Sequence, residues 1–480
     1  MALIKDFSKI AGSAFVNFFI GLLTTPLITR LVEPEQYGNW SLFCIYSNVL
    51  STILLLGSDY IIVRYYYTYE DRTYKSKLTR WCFLISSIAV ILAGVPTVVI
   101  LTHIRPNWSW FILCLLVFNV WMNILNRLVN LLLRFENKIN VLSIMTILHK
   151  VLFVAFAVVS LLRIVGPKYE LLSIATVFST SITILGCVYF IRHLLRKTES
   201  VISYTLPKRE MLSYGFPLML SGCAYIFFQA TDKLVIGHFC SDSDLGIYSS
   251  AASFLSLFAI LQSSFTTVWW PSAMKNYERN PENKTLYIKA NDMICFVMVM
   301  IGLTFIISKD LIIMLLGERF REAVVVLPFI IFQPILYTLS ETTVVGLNFQ
   351  KKSKVQLLIT ILSLIFNIVI NIVLTKKYGI IGTSIAVGLS YIFFLIFRSV
   401  LSYCYFRVEY HFAKMYISVF MLFVFALIHT IFPGEIYSYL IVIPSYFCLC
   451  IMYRNVIKFV FEKFETGFNS IRNKINNSKI

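Results

Sequence analysis

The chain has 480 residues, of which 58% are hydrophobic and only 14% charged, and its formal net charge is +18. Soluble domains carry about a quarter charged residues, so a soluble globular enzyme is excluded. The apolar residues fall in blocks of about 20, enough for a helix to cross a ~30 Å hydrocarbon core. A membrane β-barrel is also excluded, because its strands alternate in polarity over about 10 residues.

In chain order the blocks predict an all-α polytopic membrane protein with fourteen transmembrane helices. The first six are at 10–31, 39–63, 82–102, 109–133, 141–162 and 171–191. A polar stretch follows at 192–212. Six more spans are predicted at 213–236, 246–270, 291–316, 324–347, 355–375 and 380–404. A further pair lies at 413–432 and 436–453, before a basic tail. No loop approaches the ~50 residues that a separate domain needs. No A-x-A cleavage site follows the first apolar run, so span 1 is expected to stay as an anchor.

The basic excess follows from topology. With the N-terminus inside, alternate loops and the tail hold 29 of the 42 Lys and Arg, the opposite side holds 10, and Arg127, Lys150 and Arg398 lie within spans. This bias fits the positive-inside rule and predicts both termini in the cytoplasm. A nucleic-acid partner is not expected. The ten cysteines are scattered, with only Cys448 and Cys450 close together, and neither C-x-x-C nor H-E-x-x-H occurs. No disulfide framework, metal site or cofactor is expected. A phosphate-binding G-x-x-x-x-G-K-[ST] loop is missing too, so any transport would draw on an ion gradient, the membrane potential or a partner.

An internal repeat organises the chain. "ITRLVEPEQYGNWSLF" from Ile28 matches "IGHFCSDSDLGIYSSA" from Ile236 at an offset of 208 residues. "LRFENKINV" from Leu133 matches "LNFQKKSKV" from Leu347 at an offset of 214. Six spans separate the copies, so both face the same side of the membrane. The repeat predicts two parallel six-helix lobes, residues 1–192 and 213–408, about a pseudo-two-fold axis along the membrane normal. Residues 193–212 form a cytoplasmic linker, and 409–480 hold the extra helix pair and a basic cytoplasmic tail. Transporters with such repeats place substrate between their halves.

Polar stripes point to a hydrated cavity. In span 4, Asn119, Asn123, Asn126, Arg127, Asn130 and Arg134 recur at steps of three or four and share a face. Span 1 carries Ser13, Asn17, Thr24 and Thr25, and span 7 carries Ser221, Tyr225, Gln229 and Asp232. Span 10 adds Gln333, Tyr337, Ser340 and Glu341, and span 11 adds Gln356, Thr360, Ser363, Asn367 and Asn371. Hydrocarbon penalises such faces, so they look into protein or water. The alternative is hydrogen bonding between helices with no cavity.

Arg127 and Lys150 sharpen the reading, since a charge at mid-bilayer costs ~3 kcal/mol on insertion scales. Arg127 lies two-thirds of the way along span 4, and its repeat counterpart, Glu341, is the partner expected if it is structurally paired. Lys150 is ~13 Å of helix rise into span 5. Arg30 sits at the outer end of span 1 and Lys233 directly follows Asp232. Arg398 is near enough to a span end to snorkel, and Asp59 and Arg64 read as helix-end features.

Four segments carry a family resemblance: "PLITRLVEPEQYGNWSLF" from Pro26, "GSDYIIVRYY" from Gly57, "YGFPLMLSGCAYIFFQATDKLVIGHF" from Tyr214 and "LGIYSSA" from Leu245. They resemble polysaccharide-transport proteins of the multidrug/oligosaccharidyl-lipid/polysaccharide (MOP) exporter superfamily, above all the Wzx-type flippases of O-antigen, over residues 1–408. The resemblance implies a flippase, not an enzyme. It would carry undecaprenyl-diphosphate-linked oligosaccharide from the inner to the outer leaflet of the bacterial inner membrane, as a step of lipopolysaccharide or similar surface-polysaccharide biosynthesis. It implies a cationic cavity between the lobes. Arg127 comes first as the diphosphate contact, then Lys150, with Arg30 and Lys233 behind, and Asn17, Asn123, Asn126 and Asn130 on the polar lining. Coupling to protons or sodium would fall to Asp232 and Glu341. A polysaccharide polymerase and a chain-length regulator are the implied protein partners, besides membrane lipids. Two alternatives stay open: a multidrug or cation exporter of the same superfamily, and an integral-membrane polymerase or glycosyltransferase.

Overall fold

The computed structural model describes residues 19–196, 206–433, 440, 442–459 and 462. Among these the secondary structure is helical, and Ser13 and Asn17 lie outside them. Among the described residues nine helices are long and apolar enough to cross a membrane, or eleven if each of two bent pairs counts as one crossing. The protein is therefore a multi-pass membrane protein. The 53-residue helix Ser353–Tyr405 is one of the nine, although it breaks at Gly379. Among the described residues there are also two shorter apolar helices, α1 (Phe19–Leu31) and one at Val442–Met452.

Backbone contacts group the chain into two compact units. The first comprises 1–260, 314–322 and 364–380, and the second 261–313, 323–363 and 381–480. The predicted lobe boundaries divide the chain by repeat, whereas these units divide it by contact.

The first unit contains α1, α2 (Pro34–Leu54), α3 (Ser58–Tyr65), α4 (Arg72–Ile104), α5 (Trp110–Phe135), α6 (Ile139–Arg163), α7 (Lys168–Leu195), α8 (Lys208–Phe239) and α9 (Asp242–Ala252). Local signals start several of these helices. Asp71 caps α4 by accepting from Thr73 N at 2.8 Å, Ser109 caps α5 through Ile112 N, and Ser241 with Asp244 forms a capping box on α9. Each satisfies backbone N–H groups that a helix start leaves without partners.

The predicted span at 39–63 is broken. Leu56 and Gly57 both have positive φ (51° and 73°), and α3 leaves α2 at a 50° bend. A Cβ on Gly57 would overlap the Gly215 carbonyl oxygen of α8, so glycine permits both the left-handed backbone and the close approach.

The tightest crossing is α2 on α9. A Cβ on Gly38 would overlap the Asp242 carbonyl oxygen, and one on Gly246 would overlap that of Pro34. Without a hydrophobic drive between helices in lipid, small residues supply stability by letting backbones meet. Arg105 ties the end of this crossing down with an ion pair to Asp242 at 2.7 Å. Asn39 donates to Asp242 and accepts from Trp108 Nε1 at 2.7 Å.

The second unit includes α10 (Thr285–Ile307), α11 (Phe332–Thr343), α12 (Val345–Phe349) and α13 (Phe412–Ile431). Trp269, Tyr287, Phe349 and Tyr410 form a buried aromatic cluster there, and the Tyr410 hydroxyl donates to the Thr342 carbonyl at 2.8 Å. Tyr453 donates to Cys295 Sγ on α10 at 3.1 Å, joining the segment around Tyr453 to the rest of the unit.

Candidate functional site

The polar face of α5 divides between two surroundings. Asn126 accepts from Asn130 at 3.0 Å, and both line a small chamber of about 70 Å³ with Met145, Thr146, His149, Thr183 and Cys187 of α6 and α7. That volume exceeds the ~10–15 Å³ of probe space one water needs, and the lining is polar enough to hold it. Asn119 is buried and Asn123 half-buried. Arg127, one residue beyond Asn126 and so ~100° further round the helix, turns instead to α3.

There Arg127 Nη2 pairs with Asp59 Oδ2 at 2.6 Å. The two ends differ: the arginine side chain is 46% exposed and the aspartate side chain 11%. Asp59 Oδ1 is buried with no hydrogen-bond partner among the described residues. Arg127 lies ~12 Å of helix rise from the end of α5, too deep for an exposed guanidinium to face hydrocarbon.

Arg127 does not take Glu341 as its ion-pair partner, and Asp59 is a helix-end residue as expected, in the first turn of α3, that also pairs with Arg127. Glu341 pairs within the second unit, its Oε1 with Arg398 at 2.8 Å and its Oε2 with Trp270 Nε1 at 2.9 Å. Arg398 does not snorkel. It is 13% exposed, donates also to Ser340 Oγ at 2.6 Å, and lies over the rings of Tyr337 and Phe394. Glu341 thus has both carboxylate oxygens engaged, as a buried charge requires.

The other expected residues make contacts of their own. Lys150 of α6 is half-buried, with its Nζ 3.2 Å from where a Cβ on Gly21 would sit. Arg30, at the end of α1, is exposed and donates to the Leu315 carbonyl at 3.4 Å. It lines a polar cleft of about 390 Å³ with Lys168 and Arg319. Lys233 is half-buried, and its backbone N–H donates to Asp232 Oδ1 at 2.8 Å. Asp232 is buried and accepts from the Tyr248 hydroxyl at 2.6 Å. Asn17 lies outside the described residues.

Two other stripe pairs bond along their own helices or to a neighbour. Gln229 donates to the Tyr225 hydroxyl at 2.9 Å, and Asn367 donates to the Phe228 carbonyl at 3.0 Å. Reading the sequence missed Asp59 as a partner. The available signal was an aspartate just after a glycine inside an apolar run, "LLLGSDYIIV".

The described residues form an all-helical, multi-pass membrane bundle with a half-exposed guanidinium within one apolar helix. The family comparison is specific. A model described as "Polysaccharide biosynthesis protein" matches residues 3–277, more than half of the chain, and the chain belongs to that family. Among curated proteins, one named "Probable low-salt glycan biosynthesis flippase" from Haloferax volcanii is 21% identical over 188 residues, 38% of this chain. The match spans 39% of that relative's length.

Among solved structures, a lipid II flippase MurJ in an inward closed conformation superposes with a TM-score of 0.67 at 18% identity, covering 93% of this chain and 98% of that one. A multidrug resistance MATE family transporter of the MOP superfamily, in an inward-facing conformation, superposes with a TM-score of 0.57 at 14% identity. It covers 83% of this chain and 95% of that one. The fold is that of MOP-superfamily flippases and exporters.

Proposed function

We propose that the protein is a flippase for an undecaprenyl-diphosphate-linked oligosaccharide, an O-antigen or similar repeat unit, in the bacterial inner membrane, with both termini cytoplasmic. The reading rests on one observation above the others: a half-exposed arginine, Arg127, deep in an apolar helix of a polysaccharide biosynthesis family member. A diphosphate is anionic and planar-fork recognition by guanidinium suits its oxygens. A cavity for organic cations needs carboxylates in that place, which disfavours the drug-exporter alternative. The described loops carry no sizeable extramembrane segment for a polymerase site.

In this reading fourteen spans make up two six-helix lobes, 1–192 and 213–408, and an extra pair. Each bent pair then counts as one span, each half of the helix broken at Gly379 as a span, and both shorter apolar helices as parts of spans. Lys150, Asn123, Asn126 and Asn130 extend the polar lining near Arg127, with Arg30 and Lys233 as outlying cations. Transport proceeds by alternating access and is coupled to an ion gradient, and the polymerase and chain-length regulator act on its product.

The test is a deletion strain with its lipid-linked intermediates profiled by mass spectrometry. Accumulated single undecaprenyl-linked units, with none at the cell surface, are the expected result. Single units that reach the surface but are never lengthened assign a polymerase. Unchanged intermediates and surface polysaccharide overturn the flippase.

A further inference from the structure

We infer that Asp59 is an internal stand-in for the substrate's anion: it occupies Arg127 while the site is empty, is displaced when an oxyanion binds, and takes up a proton as it is displaced. This rests on the reading of Arg127 as the diphosphate contact and adds a residue and a coupled proton to it.

The geometry of the pair is lopsided in a way that favours exchange. Arg127 has five N–H donors, and one contact to Asp59 is its single ion pair among the described residues. Its half-exposed side leaves the other donors open to an incoming anion. A diphosphate offers several oxygens and can take the guanidinium in bidentate fashion, whereas Asp59 holds it through one oxygen. Like charges cannot share one guanidinium without repulsion, so the carboxylate and the incoming anion compete.

Asp59 is poorly placed to follow the arginine or to stay charged alone. Its backbone is fixed by the left-handed residues Leu56 and Gly57 and by the close approach of Gly57 to Gly215. Oδ1 is already buried without a partner, and loss of Arg127 would leave Oδ2 in the same position. An uncompensated buried charge is strongly unfavourable, and a carboxyl in that position neutralises by taking a proton. Among the described residues Asp59 has no second ion-pair partner. The titratable groups facing the pair are Tyr60 on the same helix, Cys82 from α4 and Cys223 from α8, and Arg127 itself is the charged group from α5. None of the first three carries a positive charge in any protonation state.

The chemistry is a balanced exchange: one oxyanion bound, one ion pair broken, one proton taken from solvent onto Asp59. Substrate release reverses it, with Asp59 losing the proton as it recovers Arg127. An internal anion of this kind keeps the arginine from holding the diphosphate too tightly and ties occupancy of the site to protons.

The experiment uses the purified full chain in detergent, with inorganic pyrophosphate as the probe. Isothermal titration in buffers of different ionisation enthalpy counts the protons taken up per anion bound. Wild type is expected to take up more protons than Asp59→Asn, by close to one, and Asp59→Asn is expected to bind about tenfold more tightly. The probe's own titration is common to both proteins, so the difference is the measure. Equal affinity and equal proton counts in the two, with binding lost in Arg127→Gln, overturn the role of Asp59 and leave Arg127 in place. Undiminished binding in Arg127→Gln overturns the reading of Arg127, and this inference with it. If Asp59→Asn does not fold, the wild-type count decides alone, and no uptake beyond that of free pyrophosphate overturns the proposal.

Discussion

Ser41 Oγ donates to Ser249 Oγ at 2.8 Å, and the two residues are separated by 208 positions, the offset of the sequence repeat. Gly38 and Gly246, at the same offset, pack beside each other a turn earlier. Repeat-equivalent residues touch each other only where they lie on the axis that relates the copies, as in an isologous interface. The α2–α9 crossing is therefore where the repeat meets itself.

Its two contacts should respond very differently to substitution. Gly38→Val forces a side chain into the Asp242 backbone, which has no flexible end to move aside. We expect a loss of about 3 kcal/mol or more, at the upper end of overpacking costs. Ser41→Ala removes half of a neutral hydrogen bond and should cost about 0.5–1.5 kcal/mol. Thermal unfolding in detergent measures both, and equal effects would mean that the crossing is not close-packed.

The repeat was legible because both copies keep a polar hairpin followed by a span. The bend within 39–63 was not, because the apolar run continues through it and the break depends on Leu56 and Gly57 taking a left-handed backbone and on Gly57 meeting Gly215. The stripe on α5 was legible as polarity but not as partnership. A period of three to four defines a face some 100° wide, and Asn126 and Arg127 fall at its edges, one toward α6 and α7 and the other toward α3. Arg127 and Asp59 are 68 residues apart and outside the repeat offset, so nothing local announced their pairing.

Arg127 and Arg398 make a controlled comparison. Arg127→Ala, made together with Asp59→Asn so that no buried carboxylate is stranded, removes an exposed guanidinium and should lower surface polysaccharide at least tenfold while the protein stays in the membrane, since the lost contact is about one charge-assisted pair. Arg398→Ala instead strands the buried Glu341. It should destabilise the fold by about 3–5 kcal/mol, and Glu341→Gln with Arg398→Gln should recover much of that. Surface-polysaccharide blots and membrane protein levels separate the two. Normal polysaccharide in that double variant removes Arg127 from the mechanism.

Acid should loosen the junction that follows α5. Glu136 accepts from the Tyr66 hydroxyl at 2.5 Å and pairs with His193 Nε2 at 3.0 Å, joining the ends of α3, α5 and α7. Burial works to raise its carboxyl, but donation from Tyr66 and His193 and the positive charge of His193 and Lys138 outweigh it and hold the group below its ordinary 4.5. A depressed carboxylate contributes stability that is present above the unfolded value and lost as pH falls through the folded one. Wild type should lose unfolding temperature below pH 4.5 more steeply than Glu136→Gln. Parallel curves would mean that the junction does not depend on the carboxylate charge.

Gly379 tests backbone strain apart from packing. It breaks the helix Ser353–Tyr405 with φ 59° and ψ −140°, a conformation closed to residues with a Cβ, yet nothing lies within 4 Å of where a Cβ would sit. Gly166 is equally open, and its φ lies outside the positive range. Alanine at 379 should therefore cost about 1–3 kcal/mol through backbone strain alone, while alanine at 166 should be neutral or stabilising by up to about 1 kcal/mol through the unfolded chain. At Gly38, where the conflict is steric, relief should come from shrinking the partner. At Gly379 no neighbouring substitution should relieve the cost, because the strain sits in the residue's own φ and ψ. Unfolding midpoints of Gly379→Ala and Gly166→Ala, measured side by side in one detergent, decide the point: equal midpoints would show that the helix can straighten through 379 without penalty.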